Sequence, residues 1–95
     1  MNSGGKNYFY IMTPFTYLYK GRTYESAVDM YWDGENHRYR VIVDVLYYEL
    51  IIFQMGRSNN QIIWLQCMGP GIMEQPHDLI QAIGEGIEKT AVPIR

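Results

Sequence analysis

Short turn signals divide the sequence between residues 15 and 68 into strand-length segments, and this division constrains the fold more than any other feature. The signals are Lys20-Gly21-Arg22, Asp33-Gly34-Glu35-Asn36 and Gly56-Arg57-Ser58-Asn59-Asn60, and they contain the residues that tight turns prefer. The segments between them are rich in β-branched and aromatic residues, as strands are. Strands joined by turns this short pair as antiparallel hairpins. The sequence therefore predicts an antiparallel meander sheet of about five strands.

A helical pattern follows the last predicted strand. Its apolar residues recur at helical spacing and form one stripe: Leu79, Ile80, Ile83 and Ile87. Pro76 suits the first turn of such a helix, so the fold class is predicted as α+β, with one C-terminal helix packed on one face of the sheet. Gly84 and Gly86 interrupt this helix, each at a cost of about 1 kcal/mol relative to alanine. They predict either a close approach of the helix to the sheet or a ligand or partner backbone lying against the helix.

The length and composition indicate one intracellular domain. Ninety-five residues fit a single core, and we expect residues 1–7 to be a flexible lead-in and residues 8–95 to be the domain. The formal net charge of −2 argues against a nucleic-acid-backbone binder, which needs a basic face. Cys67 is the only cysteine, which excludes an internal disulfide. The sequence shows no signal peptide and no membrane-length apolar run, so we expect a cytoplasmic protein without membrane contact.

One predicted charge cluster follows from the strand registers. A turn centred on Gly34-Glu35 places Asp29 opposite Arg40, and a two-residue turn at Asp44-Val45 places Arg40 opposite Glu49. Arg40 would then lie between two carboxylates. The cluster admits two interpretations, an anion-binding or catalytic site and a cross-strand ion-pair network on a solvated sheet. The ion-pair network is the commoner outcome.

The second of these turns is the weakest step, because the segment from Tyr39 to Phe53 contains no Gly, Pro or Asn. Val41 pairs with Tyr48 only if the chain reverses at Asp44-Val45. The alternative is one long bent strand, which could cross between two protomers in a domain-swapped dimer. A shift of a single residue here would move every later side chain to the other face of the sheet.

Continuing the register through the turn at Arg57–Asn60 leaves one sheet face without a cover. Seven apolar side chains are predicted on that face, opposite the helix: Tyr47, Ile51, Phe53, Met55, Ile62, Trp64 and Met68. A contiguous apolar patch usually marks an interface, and an aromatic, Met-containing patch centred on Trp64 has the composition of binding hot spots. The sequence therefore predicts a non-enzymatic protein-interaction module that forms a homodimer or binds another protein. The alternative is that Tyr8–Met12 folds back over the patch.

Two other functions stay open on the sequence alone. Tyrosines predicted on the helix side could line a cavity for a small amphipathic ligand: Tyr17, Tyr24, Tyr39 and Tyr48. The aromatic sheet face beside Arg38 and Arg40 could instead stack single-stranded nucleic acid. Asp29 and Glu49 would neutralise those arginines in part, so nucleic acid is the weaker expectation.

The sequence contains no catalytic, metal-binding or cofactor-binding motif. The predicted register turns Cys67 toward the core, where a thiol is usually inert. His37 and His77 are the only histidines, and neither has partners at ligand or catalytic spacing. Glu74, His77 and Asp78 are better explained by the polarity of a helix start than by a metal. We therefore predict no enzyme activity, no metal and no cofactor.

Overall fold

Five antiparallel strands and a helix form the described part of the chain, residues 12–43 and 48–90 of this computed structural model. The strands are β1 (Thr13–Tyr19), β2 (Arg22–Trp32), β3 (His37–Val43), β4 (Tyr48–Ser58) and β5 (Gln61–Gln66). They form one sheet in sequence order, with β1 and β5 at its edges. The helix α1 (His77–Glu88) packs on one face of that sheet. The predicted α+β meander with a C-terminal helix is confirmed.

The N-terminal predictions are covered only in part. Pro14 lies inside β1. Because β1 is an edge strand, its open side forms no hydrogen bonds to a neighbouring strand, and a proline without an N–H is tolerated there. The predicted lead-in, residues 1–7, lies outside the described residues, and so does the predicted segment Tyr8–Met12 except for its last residue. Met12 is described, and it is buried.

Positive backbone φ angles mark the two tightest turns. Lys20 and Gly21 join β1 to β2 with φ of 51° and 80°, and Asn59 and Asn60 join β4 to β5 with φ of 53° and 65°. Two-residue hairpin turns of type I′ require positive φ at both positions, which Gly and Asn adopt most readily. The β4–β5 turn is shorter than the predicted segment Gly56–Asn60, because β4 continues to residue 58.

One carboxylate holds the turn between β2 and β3. The backbone amides of Glu35 and Asn36 donate to Asp33 Oδ1 at 2.8 and 2.7 Å, and Arg38 Nε donates to Asp33 Oδ2 at 2.7 Å. The backbone hydrogen bonds from Asn36 and Glu35, and then Arg38, lower the pKa of Asp33 to about 2. A side chain that binds its own turn in this way stabilises the chain reversal. The β2–β3 register that this turn sets is the predicted one.

The β3–β4 register differs from the prediction by two residues. Val41 lies opposite Leu50 rather than Tyr48. A shift of two keeps every side chain on its predicted face. Val43 lies opposite Tyr48, so four residues separate the paired strand ends, and the predicted two-residue turn at Asp44-Val45 is too short. Those four residues, 44–47, lie outside the described residues. The alternative of one long bent strand is also wrong, because β3 and β4 are two strands that pair with each other.

A β-bulge in β4 decides which face of β5 meets the helix. Gln54 lies opposite Trp64 and Gly56 lies opposite Ile63, so Met55 is an extra residue on β4. Side chains alternate between the two faces along a strand. One extra residue therefore exchanges the two faces of β5 relative to the rest of the sheet.

The bulge reverses the predicted orientation of β5. Trp64 is fully buried beneath the helix, at 0% exposure, and Ile62 packs against the same core. Their predicted place on the outer face is wrong, because the prediction counted through the hairpin without an extra residue. The predicted core position of Cys67 is wrong for the same reason. Its amide donates to Ile51 O at 2.8 Å, and it shares the outer face with Leu65 by alternation.

Two glycines let α1 lie directly on the edge strands. A Cβ built on Gly84 would overlap the Trp64 indole, and a Cβ built on Gly86 would overlap the backbone oxygen of Thr16 and the Cβ of Tyr17. The helix therefore contacts β5 and β1 together. Five strands of a flat sheet span about 19 Å from first to last, so the sheet must curve around the helix. The close helix–sheet approach predicted from these glycines is confirmed.

Side chains of α1 also pair with the free edge of β5. Gln81 Oε1 accepts from the Trp64 amide at 3.0 Å, and Gln81 Nε2 donates to Ile62 O at 2.8 Å. His77 Nε2 lies 3.2 Å from Trp64 O. An uncovered edge strand presents unpaired backbone groups that attract further strands. The helix removes that possibility along this part of β5.

One hydrophobic core lies between the curved sheet and α1. Its buried members come from all five strands and from the helix: Phe15, Tyr17, Val28, Tyr39, Val41, Leu50, Ile52, Trp64, Ile80, Ile83 and Ile87. Burial of one such aliphatic side chain stabilises folding by about 1.5–3 kcal/mol. The helix has no side-chain N-cap, so its stability depends on this packing. No helix within residues 12–43 and 48–90 is long and apolar enough to span a bilayer.

Candidate functional site

An apolar patch occupies the sheet face turned away from α1. Its members come from β3, β4, β5 and the residue that follows β5, and we call them the outer patch: Ile42, Ile51, Phe53, Ile63, Leu65 and Cys67. Each of these side chains is half-buried. Phe53 lies opposite Leu65, and directly opposed residues on one face have Cβ atoms about 4.5–5.5 Å apart. The patch is therefore continuous between β4 and β5, and Ile42 of β3 is the diagonal neighbour of Ile51.

Charged side chains border the outer patch on the same face. Arg40 Nη2 donates to Asp29 Oδ2 at 2.6 Å, and Arg40 Nε lies 4.0 Å from Glu49 Oε2. Arg40 itself lies opposite Ile51 of the patch. The structure thus brings together the three residues of the predicted charge cluster. These side chains are 19–48% exposed, and ion pairs with that exposure contribute about 0–1 kcal/mol each. A cross-strand ion-pair network describes them well.

Arg38 joins the charged border to the aromatic part of the outer patch. Its guanidinium carbon lies 4.7 Å from the centroid of the Phe53 ring, a distance typical of cation–π contacts. The same guanidinium donates to Asp33 at 2.7 Å. Arg38 and Arg40 are therefore both bound to carboxylates of their own chain, which weakens the case for a nucleic-acid phosphate on this face.

The structure separates the residues of the predicted interface. Ile51 and Phe53 lie in the outer patch. Met55 is the bulge residue and is 59% exposed, and Met68 follows β5 and is 52% exposed. Tyr47 lies outside the described residues. The remaining two predicted interface residues, Ile62 and Trp64, lie on the helix side of β5.

Sequence reasoning missed four members of the outer patch: Ile42, Ile63, Leu65 and Cys67. The outward orientation of Ile42 follows from the predicted alternation of side chains along β3, in which Val41 faces the core. The other three follow only from the bulge. The signal for that bulge is Gly56, because a glycine inside a strand often marks an irregular pairing.

Three of the four tyrosines predicted to line a cavity have described side chains, and their rings make aromatic contacts. Tyr17 stacks on Tyr24 with ring centroids 5.3 Å apart, and Tyr39 meets Trp64 edge-on at 5.0 Å. Tyr17 and Tyr39 are both buried, and they line two different cavities, of about 210 and 240 Å³. The side chain of Tyr48 lies outside the described residues.

A larger cavity, of about 460 Å³, lies where β4 begins and β5 ends. Leu50 and Gln66 line its sheet side, and Ile72 and Met73 line its loop side. The Gln66 side chain holds that loop in place. Its Nε2 donates to Met73 O at 3.1 Å, and its Oε1 accepts from the backbone N–H of Gln75 at 2.8 Å. The lining is mainly apolar, and its loop side is exposed.

The reactive groups of the described residues give no catalytic arrangement. Burial raises the pKa of the Cys67 thiol, against an opposing effect of Arg38, so the thiol is protonated near neutral pH and is a weak nucleophile. Within residues 12–43 and 48–90, no group of three or more His, Cys, Asp and Glu side chains could hold a metal ion. Comparisons of this chain with protein-family models, with curated proteins and with solved structures give no match.

Proposed function

We propose that this chain is a non-enzymatic protein-interaction module that self-associates through the outer patch. One observation carries the proposal: six half-buried apolar side chains lie side by side on one sheet face, while the described helix packs on the opposite face. Monomeric proteins rarely leave a contiguous apolar surface above a few hundred Å² uncovered. A partner that covers the patch gains about 25 cal/mol for each Å² of apolar surface removed from water.

A second copy of the chain suits this surface because the surrounding charges have both signs. Arg38 and Arg40 lie beside the patch, and Asp29, Asp33 and Glu49 lie among them. A twofold axis brings the same surface of two protomers together. A border of a single sign would repel its own copy, whereas this mixed border offers each protomer charges opposite to its own.

Sedimentation velocity tests the proposal. Leu65→Glu places a charge inside the outer patch, opposite Phe53, without touching the helix-side core. We expect the wild type to sediment as a dimer at high micromolar concentration and Leu65→Glu to sediment as a monomer. Thr23→Glu is the matched control, because Thr23 is exposed on β2, opposite Leu18 and away from the outer patch. This control is expected to dimerise as the wild type does.

Three results would contradict self-association through the outer patch. The first is a wild type that stays monomeric at high micromolar concentration. The second is a folded Leu65→Glu variant that dimerises as tightly as the wild type. The third is an equal loss of dimer in the control, because a change in net charge would then explain the effect. Circular dichroism establishes that both variants are folded before they are compared.

A further inference from the structure

A cavity of about 240 Å³ lies on the helix side, between the C-terminal end of α1 and strands β3 to β5. It is separate from the outer patch. Its main lining residues comprise an apolar set and a set with polar atoms: Ile62, Trp64 and Ile87, and Tyr39, Gln54 and Glu88. Pockets for drug-sized ligands occupy about 300–1,000 Å³, so the occupant of this cavity is smaller.

Glu88 brings a negative charge to the cavity at a position where the helix disfavours one. Trp64 Nε1 donates to Glu88 Oε2 at 2.7 Å, which fixes the carboxylate at the wall. A carboxylate accepts several hydrogen bonds, so Glu88 keeps capacity for a ligand. The C-terminal end of a helix carries about half a negative charge, and the last turn of α1 contains no basic residue. The C-cap residue, Lys89, lines a different cavity. A cation in the cavity would offset both negative charges.

Two further oxygen acceptors line the same cavity. Tyr39 is only 3% exposed, and its hydroxyl forms no hydrogen bond with a described residue. Burial raises the pKa of Tyr39, so the hydroxyl is neutral and offers both an acceptor and a donor. Gln54 is exposed, and within the described ranges its side-chain amide is also without a hydrogen bond. No described residue therefore occupies either oxygen.

We propose that this cavity binds a primary ammonium group carried on a short apolar chain. An ammonium has three N–H donors and no acceptor. The walls supply three acceptors to match it, namely the carboxylate of Glu88, the hydroxyl of Tyr39 and the amide oxygen of Gln54. The apolar chain packs against Ile62 and Ile87, and the aromatic walls add cation–π attraction. A free small amine and a lysine side chain of a peptide share this chemistry.

The nuclear magnetic resonance signal of the Trp64 indole N–H reports binding in this cavity, because Trp64 lines its wall. The second tryptophan, Trp32, is replaced by phenylalanine so that one indole signal remains. The probes are butylammonium, the neutral 1-butanol of similar size, and N-acetyl-lysine methylamide. We expect butylammonium to shift the Trp64 signal saturably and to bind at least about tenfold more tightly than 1-butanol, since hydrogen bonds to charged groups are the strong ones. Tighter binding of the lysine derivative than of butylammonium identifies a peptide lysine as the source.

Two variants and one control complete the test. Glu88→Gln removes the cavity's charge and is expected to weaken butylammonium binding about tenfold or more. Gln54→Leu removes one acceptor without touching the Trp64–Glu88 hydrogen bond, and it is expected to weaken binding several-fold while the protein stays folded. Glu25→Gln removes the same charge from an exposed site on the outer face and leaves the affinity unchanged.

Each contrary result overturns the proposal. One contrary result is a Trp64 signal that does not shift with either ammonium probe. Another is 1-butanol binding as tightly as butylammonium. Equal weakening by Glu25→Gln and Glu88→Gln would show a general charge effect instead of a site. These readouts do not depend on the outer patch, so they keep their meaning whether or not the chain self-associates.

Discussion

The indole of Trp64 fills the space that a side chain at position 84 would need, so Trp64 and Gly84 fit together only as a pair. The rest of the indole is also engaged: its N–H donates to Glu88, and Tyr39 meets the ring edge-on. The backbone N–H of the same residue donates to Gln81. One residue of β5 therefore connects the sheet edge, the helix and the core.

Gly84→Ala is expected to destabilise the protein, although alanine is the better helix former. The replacement gains about 1 kcal/mol of helix propensity, whereas overpacking a core typically costs about 1–3 kcal/mol. Overpacking should dominate here, because the added Cβ meets the middle of a fully buried ring. Urea denaturation measures the free energy of unfolding. Gly69→Ala is the control, since a Cβ there meets no atom within 4 Å. A Gly84→Ala variant at least as stable as the wild type would rule out this close contact.

Trp64 and Leu65 are neighbours in sequence, yet their truncation should have very different effects. Trp64→Ala is expected to cost about 3–5 kcal/mol, as for other buried aromatic residues, which is a large part of the about 5–15 kcal/mol that stabilises a typical domain. Leu65→Ala, on the half-buried outer face, should cost about 1 kcal/mol. Both are measured by denaturation at low protein concentration, where association does not contribute. A larger loss of stability in Leu65→Ala than in Trp64→Ala would indicate that Trp64 lies on the outer face.

The hairpins, the helix and the β2–β3 register could be predicted because each depends on residues close together in sequence. Asp33 binds its own turn, and the apolar stripe of α1 repeats within a few turns. The orientation of β5 could not be obtained by counting, since the bulge adds a residue inside a strand. Gly56 was the local hint. The candidate site depends on the same step: Ile51 and Phe53, before the bulge, lie on the outer face, whereas Trp64, after it, does not.

Deletion of Met55 tests whether the bulge determines the orientation of β5. Without the extra residue, the hairpin register would turn Trp64 away from the helix, so we expect a loss of at least about 3 kcal/mol or complete unfolding. Met55→Ala is the matched control. It keeps the residue count and removes only a side chain that is 59% exposed, so it should change stability by about 0.5 kcal/mol or less. Circular dichroism during urea titration compares the two. Equal stability of both variants would show that β5 keeps its orientation without the bulge.

Asp33 should make stability depend on pH in acid solution. Folding lowers its pKa from an ordinary value of 3.8 to about 2, chiefly through the backbone amides of Asn36 and Glu35. A carboxylate of this kind stabilises the fold above its unfolded pKa, and the contribution is lost as the pH falls toward the folded value. Asp33→Asn keeps a side-chain oxygen for the turn but does not titrate. The urea midpoint of the wild type should therefore fall more between about pH 4 and pH 2 than that of Asp33→Asn. Parallel falls would exclude Asp33 as the source.

Gln81→Met should open the edge of β5 to solvent. The variant leaves the Trp64 amide and the Ile62 carbonyl without their helix partner, and an unsatisfied buried group costs about 1–3 kcal/mol. Hydrogen exchange should then accelerate more at the Trp64 amide than at the Leu65 amide, which faces β4 by alternation. Gln61→Met is the control, because the exposed Gln61 side chain donates to the Glu85 side chain and not to the backbone of β5. Equal acceleration at both amides would mean that global unfolding controls the exchange, and Gln81 would then not be what protects this edge.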